Sequence, residues 1–275
     1  MPSATTSQLT TRDIRVLGQR FRVAIRPGDG TRTPLLLMNG IGVGLELLRP
    51  LVDALDPAIE VIRFDAPGVG GSPTPPLPYR FPALAYLVER LLDQLGYERV
   101  DALGVSWGGA LAQQFALQHP WRCRRLALVS TAMGALMVPG DPAAWVALAA
   151  PWSGSDRGAL EAIAPELAPE IASGALDPAL ARDLAAMLRL GDPRGYLYQL
   201  LGGAGWTSLP WLPCLRQRTL IVAGDDDRLI PLVNARLMHL LAPRSHLHVF
   251  HGGHLGFVLR AAELAPVIGA FLASD

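Results

Sequence analysis

The sequence predicts an α/β fold: a mostly parallel, eight-stranded sheet with helices on both faces and a helical insertion between its two parts. Two observations carry this. Short apolar runs such as Pro34–Met38 and Ile59–Phe64 read as strands buried on both faces, another run of strand character begins at Val100, and stretches of helical period separate them. The rhythm stops near Gly134 and resumes at Thr219, as one core interrupted by an insertion would read. Residues 1–133 and 214–275 are assigned to the core, and residues 134–213 to a helical cap.

Composition sets the frame. With 50% hydrophobic residues in 275 the chain can bury a large core, and a mean hydropathy of +0.28 leaves apolar surface over for a greasy pocket. No apolar run nears the roughly eighteen residues of a membrane span. Met1–Thr11 is polar and lacks the apolar centre of a signal peptide, so a cytoplasmic protein without a membrane span is expected. Cys123 and Cys214 are far apart in sequence and are expected to be free and buried. The 24 cations balance 24 anions, and all are arginine. The absence of lysine excludes Schiff-base and pyridoxal phosphate attachment and a P-loop lysine. A neutral balance offers no electrostatic footprint for nucleic acid.

Taken in order, Asp13–Val16 and Phe21–Ile25 alternate on either side of Gly18-Gln19 and predict a hairpin. The buried strand Leu35–Met38 leads into Asn39-Gly40-Ile41-Gly42, and a helix is expected around Leu45–Leu55. Strand Ile59–Phe64 ends in Asp65-Ala66-Pro67-Gly68-Val69-Gly70-Gly71-Ser72, a tight post-strand turn. It lacks a full Gly-x-Gly-x-x-Gly leading into a helix, and prolines follow it, so it is no phosphate or dinucleotide loop. An amphipathic helix over Ala83–Leu95 precedes the strand that begins at Val100 and a helical pattern from Gly109 through Gln118, and Arg125–Thr131 reads as a further strand. In the insertion, helices are expected over Ala143–Ala150, Asp156–Ile163 and Pro178–Leu190. Strand Thr219–Ala223, helix Pro231–Leu241, strand His246–Phe250 and helix His254–Leu272 close the chain.

Gly104-Val105-Ser106-Trp107-Gly108 stands between a strand and a helix, where Gly-x-Ser-x-Gly forms a nucleophile elbow. The serine is forced into a strained turn, and side chains at Gly104 or Gly108 would collide with the neighbouring strand or helix. A serine hydroxyl needs a base to take its proton and an acid to hold that base. Working residues in such sheets lie beyond the carboxyl ends of strands. That leaves Asp225, Asp226 and Asp227 in one loop and His251 and His254 in the next, in the chain order serine, aspartate, histidine. His246 and His248 alternate on one strand face and read as structural or exposed. His254 follows Gly252-Gly253, which frees its loop, and is the preferred base; His251 is the second choice. These clustered histidines have no cysteine or carboxylate cluster beside them and fit no common zinc spacing, so no metal is expected. The oxyanion of ester hydrolysis needs two N–H donors. One is the backbone N–H of Trp107; the other should lie in the loop after Leu35–Met38.

The spacing from Gly224 through Asp227 to Pro231 resembles the Gly-x-x-Asp-x-x-x-Pro acid loop of α/β-hydrolases, which implies Asp227 as the acid. Asn39-Gly40-Ile41-Gly42 is similar to their His-Gly-x-x loop with Asn in place of His, which implies Ile41 as the second oxyanion donor. Residues 13–133 and 214–272 resemble the α/β-hydrolase fold throughout. More narrowly, four stretches resemble the intracellular medium-chain-length poly(3-hydroxyalkanoate) depolymerases. They are Leu36–Gly42, Phe64–Ser72, Gly104–Phe115 and Ala223–Asp227, and Gly205-Trp206-Thr207-Ser208 is similar too.

The resemblance implies a cofactor-free serine esterase that hydrolyses storage polyester through Ser106, His254 and Asp227, with Ile41 and Trp107 binding the oxyanion. Its partner would be a polyester granule or a hydrophobic ester, and it would be cytoplasmic or on the granule surface. Trp145, Trp152, Trp206 and Trp211 are expected either to meet that surface or to pack within the cap. The alternatives are a carboxylesterase or lactonase acting on small soluble esters, and a cofactor-free oxygenase or perhydrolase of the same fold.

Overall fold

The computed structural model describes residues 10–149 and 192–274. Thr11–Val16 (β1) and Gln19–Arg26 (β2) form the hairpin. Its turn is Leu17-Gly18 rather than Gly18-Gln19, because Val16 pairs with Gln19. Both turn residues have positive φ, 49° and 87°, which a two-residue turn matched to strand twist requires. Leu35–Met38 (β3), Val61–Phe64 (β4), Val100–Val105 (β5), Cys123–Val129 (β6), Arg218–Gly224 (β7) and Ser245–Phe250 (β8) complete the sheet. The order is β1-β2-β4-β3-β5-β6-β7-β8, and only β2 runs against the rest. β6 lies two residues earlier than expected; it stops before Ser130, whose φ of 45° takes the chain out of the ladder.

The strands are apolar throughout because both faces are covered. Along β3, Leu35 and Leu37 belong to one core cluster and Leu36 and Met38 to the other, the two-residue period of a strand. The first cluster meets Arg49–Ala54 (α1), Gly256–Leu259 (α7) and Ala261–Ala273 (α8). The second meets Phe81–Leu95 (α2), Trp107–Gln118 (α3) and Leu232–Leu241 (α6). Burying each large apolar side chain contributes about 1.5–3 kcal/mol, so these layers outweigh surface ion pairs such as Arg49–Asp53, worth ~0–1 kcal/mol.

Some helix limits differ from expectation. α1 starts at Arg49 rather than near Leu45, because the Leu45 N–H is donated to Asp65 Oδ1 at 2.7 Å. α2 begins at Phe81 with Pro82 in its first turn, where a missing N–H costs nothing, and ends at Gly96 with φ 83°. The single helix expected over His254–Leu272 is two, broken at Arg260, whose carbonyl accepts the N–H groups of Glu263 and Leu264.

Between β6 and β7, Pro142–Ala149 (α4) forms as expected, and Pro193–Gly203 (α5) is a helix that periodicity did not single out. The expected helices Asp156–Ile163 and Pro178–Leu190, and Trp152, lie outside the described residues. Among the described residues no helix is long and apolar enough to cross a membrane. Cys123 is buried as expected, whereas Cys214 is exposed; both are free.

Candidate active site

Strand order reverses at β3: β4 lies on one side of it and β5 on the other. A crevice opens at such a switch point beyond the carboxyl ends of the strands. The turns after β3 and β5 flank it. Ser106 sits between β5 and α3 with φ 52° and ψ −120°, a strained conformation for a residue with a side chain. Its neighbours hold it there. The Ser106 N–H continues the ladder to Val129 O at 3.0 Å, and Thr131 Oγ1 donates to Ser106 O at 2.7 Å. A Cβ on Gly108 would stand 2.2 Å from Met38 O, and one on Gly104 would stand 2.2 Å from Gly108 O. Glycine is therefore the residue that lets α3 start against the end of β3.

The loops after β7 and β8 are stitched together. Asp225 N–H donates to Phe250 O at 3.0 Å and Asp226 N–H to Gly252 O at 3.1 Å. This brings two aspartate–histidine pairs to the sheet edge. In the inner pair, His254 Nδ1 donates to Asp227 Oδ2 at 2.8 Å, and both residues are buried. The other Asp227 oxygen accepts the N–H groups of Leu229 and Ile230 at 3.0 and 2.8 Å. A carboxylate only accepts, so the imidazole proton resides on Nδ1 and Nε2 keeps a lone pair. That Nε2 lies 3.0 Å from Ser106 Oγ. The outer pair, Asp225 with His251 at 3.1 Å, is exposed and does not reach the serine. Hydrogen bonds from His251 and from the Gly252 N–H hold the Asp225 carboxyl below the usual carboxylate range. His246 is exposed and His248 half-buried on β8.

A cavity of about 320 Å³ opens over Ser106, with Ile41, Phe81, Trp107, Trp145 and Trp206 in its wall. The rings of Phe81 and Trp107 are 4.8 Å apart, and those of Phe81 and Trp206 are 5.1 Å apart. Trp145 and Trp206 thus wall the cavity instead of facing outward, while Trp211 is half-exposed. Gly40 lies against the serine, where a Cβ would be 3.8 Å from Ser106 Cβ, so the turn bearing Ile41 borders Ser106. In that turn Asn39 Nδ2 donates to Gly44 O at 2.5 Å, and the Gly42 N–H is taken by Gln199 Oε1 at 2.6 Å. Gln199, on α5, is buried and lines the same cavity. Nothing in the sequence marked it, since one glutamine in a helix carries no pattern and its partner is remote in the chain.

With an apolar pocket, a strained serine and an imidazole in one place, the arrangement has the parts that acyl transfer through a serine needs. Known proteins agree on the class. The profile of the alpha/beta hydrolase fold family matches residues 33–261. A poly(3-hydroxyalkanoate) depolymerase of Ectopseudomonas oleovorans is 49% identical over 96% of this chain and 93% of that protein. A 2-hydroxymuconate semialdehyde hydrolase of Pseudomonas sp. (strain CF600) is 29% identical over 89% of this chain and 88% of its own. Among solved structures, the enol-lactonase from Burkholderia xenovorans LB400 superposes with a TM-score of 0.82 at 23% identity, covering 96% of this chain and all of that one, 100%. The family profile spans most of the chain, the depolymerase shares nearly half its residues, and the shared fold agrees: the chain belongs to the α/β-hydrolase family.

Proposed function

We propose that the protein is a serine esterase that hydrolyses the ester bonds of poly(3-hydroxyalkanoate). Ser106 is the nucleophile, His254 the base and Asp227 the acid that orients it, and the N–H groups of Ile41 and Trp107 bind the oxyanion. The 3.0 Å approach of His254 Nε2 to Ser106 Oγ, at the mouth of an apolar cavity, is the observation that supports this reading most. The depolymerase relative supports the substrate class.

Ser106 Oγ bonds to the ester carbonyl carbon as its proton passes to His254 Nε2. The carbonyl oxygen becomes the oxyanion, and the two N–H groups stabilise it more than they did the neutral carbonyl. Collapse breaks the bond to the leaving oxygen, which takes the proton from His254 and departs as the hydroxyl of the next unit. Water then repeats the sequence on the acyl-enzyme, giving its proton to His254 and releasing the acid and Ser106. The alkyl branch of a 3-hydroxyacyl unit occupies the aromatic-walled cavity, and residues 134–213 act as the cap that shapes it. The substrate is met in the cytoplasm or at a granule surface, with no cofactor.

The decisive experiment compares the protein with Ser106→Ala on polyester emulsions and on soluble esters of graded acyl length. Ester cleavage is expected to fall on the order of 10⁶-fold in the variant, with the unfolding midpoint nearly unchanged. Retained cleavage in the variant defeats the serine mechanism. Cleavage of short soluble esters alone, with polyester ignored, defeats the polymer reading and favours a small-ester carboxylesterase.

A further inference from the structure

α5 crosses the carboxyl edge of the sheet over the loops that follow β3, β4 and β5. It is seated glycine on glycine: a Cβ on Gly195 would stand 1.9 Å from Gly68 O, and one on Gly68 2.5 Å from Gly195 Cα. Asp192 caps its first turn by accepting the Arg194 N–H at 2.9 Å and ties it to the core by accepting from Thr74 Oγ1 at 2.6 Å. Four residues beyond Gly195, on the same helix face, Gln199 is 1% exposed. Its Oε1 accepts the Gly42 N–H at 2.6 Å, and its main-chain carbonyl accepts from Trp107 Nε1 at 2.9 Å. One residue therefore grips both the turn that carries Ile41 and the residue that opens the elbow helix.

The geometry points to Gln199 as a positioning residue that holds the Ile41 N–H toward the reacting carbonyl oxygen by fixing the Gly42 N–H. This rests on the oxyanion assignment of Ile41. The need for such a grip is local. Residues 39–42 form no ladder, Gly40 and Gly42 give the turn wide backbone freedom, and Gly42 sits at φ 74°. Pinning the Gly42 N–H fixes the Ile41–Gly42 peptide plane and limits the rotation of the neighbouring Gly40–Ile41 peptide, whose N–H is the donor. It also prevents Gly42 from competing for the oxyanion. Because the grip comes from α5, the position of a helix outside the sheet is transmitted to the site of charge development. That charge exists only in the transition state, so the effect belongs in kcat rather than KM.

The test uses Gln199→Met, which keeps length, and Gln199→Ala, which removes bulk; both replacements are good helix formers. With a soluble p-nitrophenyl ester, kcat per titrated active site should fall on the order of 10- to 100-fold in each, with KM changed by less than about twofold. Inhibition by butylboronic acid, whose adduct on serine mimics the tetrahedral intermediate, should weaken by a similar factor, while butyrate should inhibit as before. Gln199→Asn, shorter by one methylene but still an acceptor, should fall between. A purely structural role would lower the number of titratable sites and leave kcat per site and boronate affinity intact, and that result overturns the inference. Ser106→Ala run alongside separates the failures. If it stays active, the serine mechanism fails; if it is inactive while both Gln199 variants keep wild-type kcat, only the role of Gln199 is lost.

Discussion

Across one cavity the loops after β5 and β7 face residues 134–148 and 199–206, and the two sides are built in opposite ways. On the sheet side the polar side chains at the cavity have fixed partners: Ser106 is braced by Val129 and Thr131, and Asp227 by two backbone N–H groups and His254. On the other side, apart from the Gln199 bonds to Gly42 and Trp107, the wall is apolar, with Trp145, Leu148, Gly203 and Trp206 in it. Hydrogen-bonded geometry specifies angle and distance, whereas apolar packing specifies volume. The sheet side, with the Gln199 bonds that fix its turn, should therefore set the rate for every ester alike, and the apolar wall should set which acyl chain fits.

The largest expected effect tests the first half of that contrast. Asp227→Asn can place an amide NH₂ against His254 Nδ1, forcing the proton to Nε2, where it no longer accepts from Ser106. The turnover number should drop on the order of 10⁴-fold, equally for butyrate and octanoate esters. A variant that keeps one acyl length and loses another breaks the contrast.

Gly108→Ala attacks the scaffold instead of the chemistry. Its new methyl meets Met38 O at 2.2 Å and Asn39 O at 2.3 Å, both backbone atoms, so α3 or the end of β3 must shift. Overpacking of this kind costs about 1–3 kcal/mol, to be read from urea unfolding, and activity should fall at all acyl lengths together. Unchanged stability would show that the elbow has slack and that the sheet side is less rigid than its partners suggest.

The same contrast explains what the sequence made legible. The elbow and the base loop are local patterns at strand ends, so Ser106 and His254 could be named from the residues, while Asp227 came through the resemblance of its loop to the acid loop of α/β-hydrolases; in the structure His254 is within hydrogen-bond reach of both Ser106 and Asp227. The sheet was legible because apolar runs buried on both faces leave no polar alternation. Features decided by distant partners were not. Gln199 has meaning only through Gly42, and Gly195 only through Gly68. The break at Arg260 hides inside a pattern that stays apolar on both sides of it. The Leu17-Gly18 turn was misplaced by one residue because leucine is an unusual choice at positive φ.

Gly203→Leu sharpens the second half. A Cβ there would lie 3.6 Å from Trp107 Nε1 and 3.7 Å from Phe81 Cε2, ordinary contacts, so the first carbon fits and the rest of the side chain enters the cavity. The preferred acyl chain should shorten. For long esters kcat/KM should fall about tenfold, while acetate esters are cleaved as before. A uniform loss across the panel would mean that the apolar wall governs rate as well as fit.

The smallest effect concerns the two aspartate–histidine pairs themselves, which join the same two loops at opposite burial. Asp225 lies in the open and accepts from His251 and from the Gly252 N–H. Those hydrogen bonds, the one from His251 first, lower its folded pKa. A lowered carboxylate pKa stabilises the fold fully above the unfolded value, about 3.9, and that stability disappears as the pH falls through the folded value. Asp225→Asn should therefore lower the unfolding midpoint slightly at pH 7, with the gap to wild type closing as the pH drops below about 4. Activity should change little, because the loop that carries His254 keeps its bonds from Asp226 N–H to Gly252 O and from His254 to Asp227. A gap that stays the same at every pH would assign the effect to lost packing. A loss of turnover comparable to that of Asp227→Asn would mean that the outer pair holds the inner one in place, and the division between exposed clip and buried machinery would have to be redrawn.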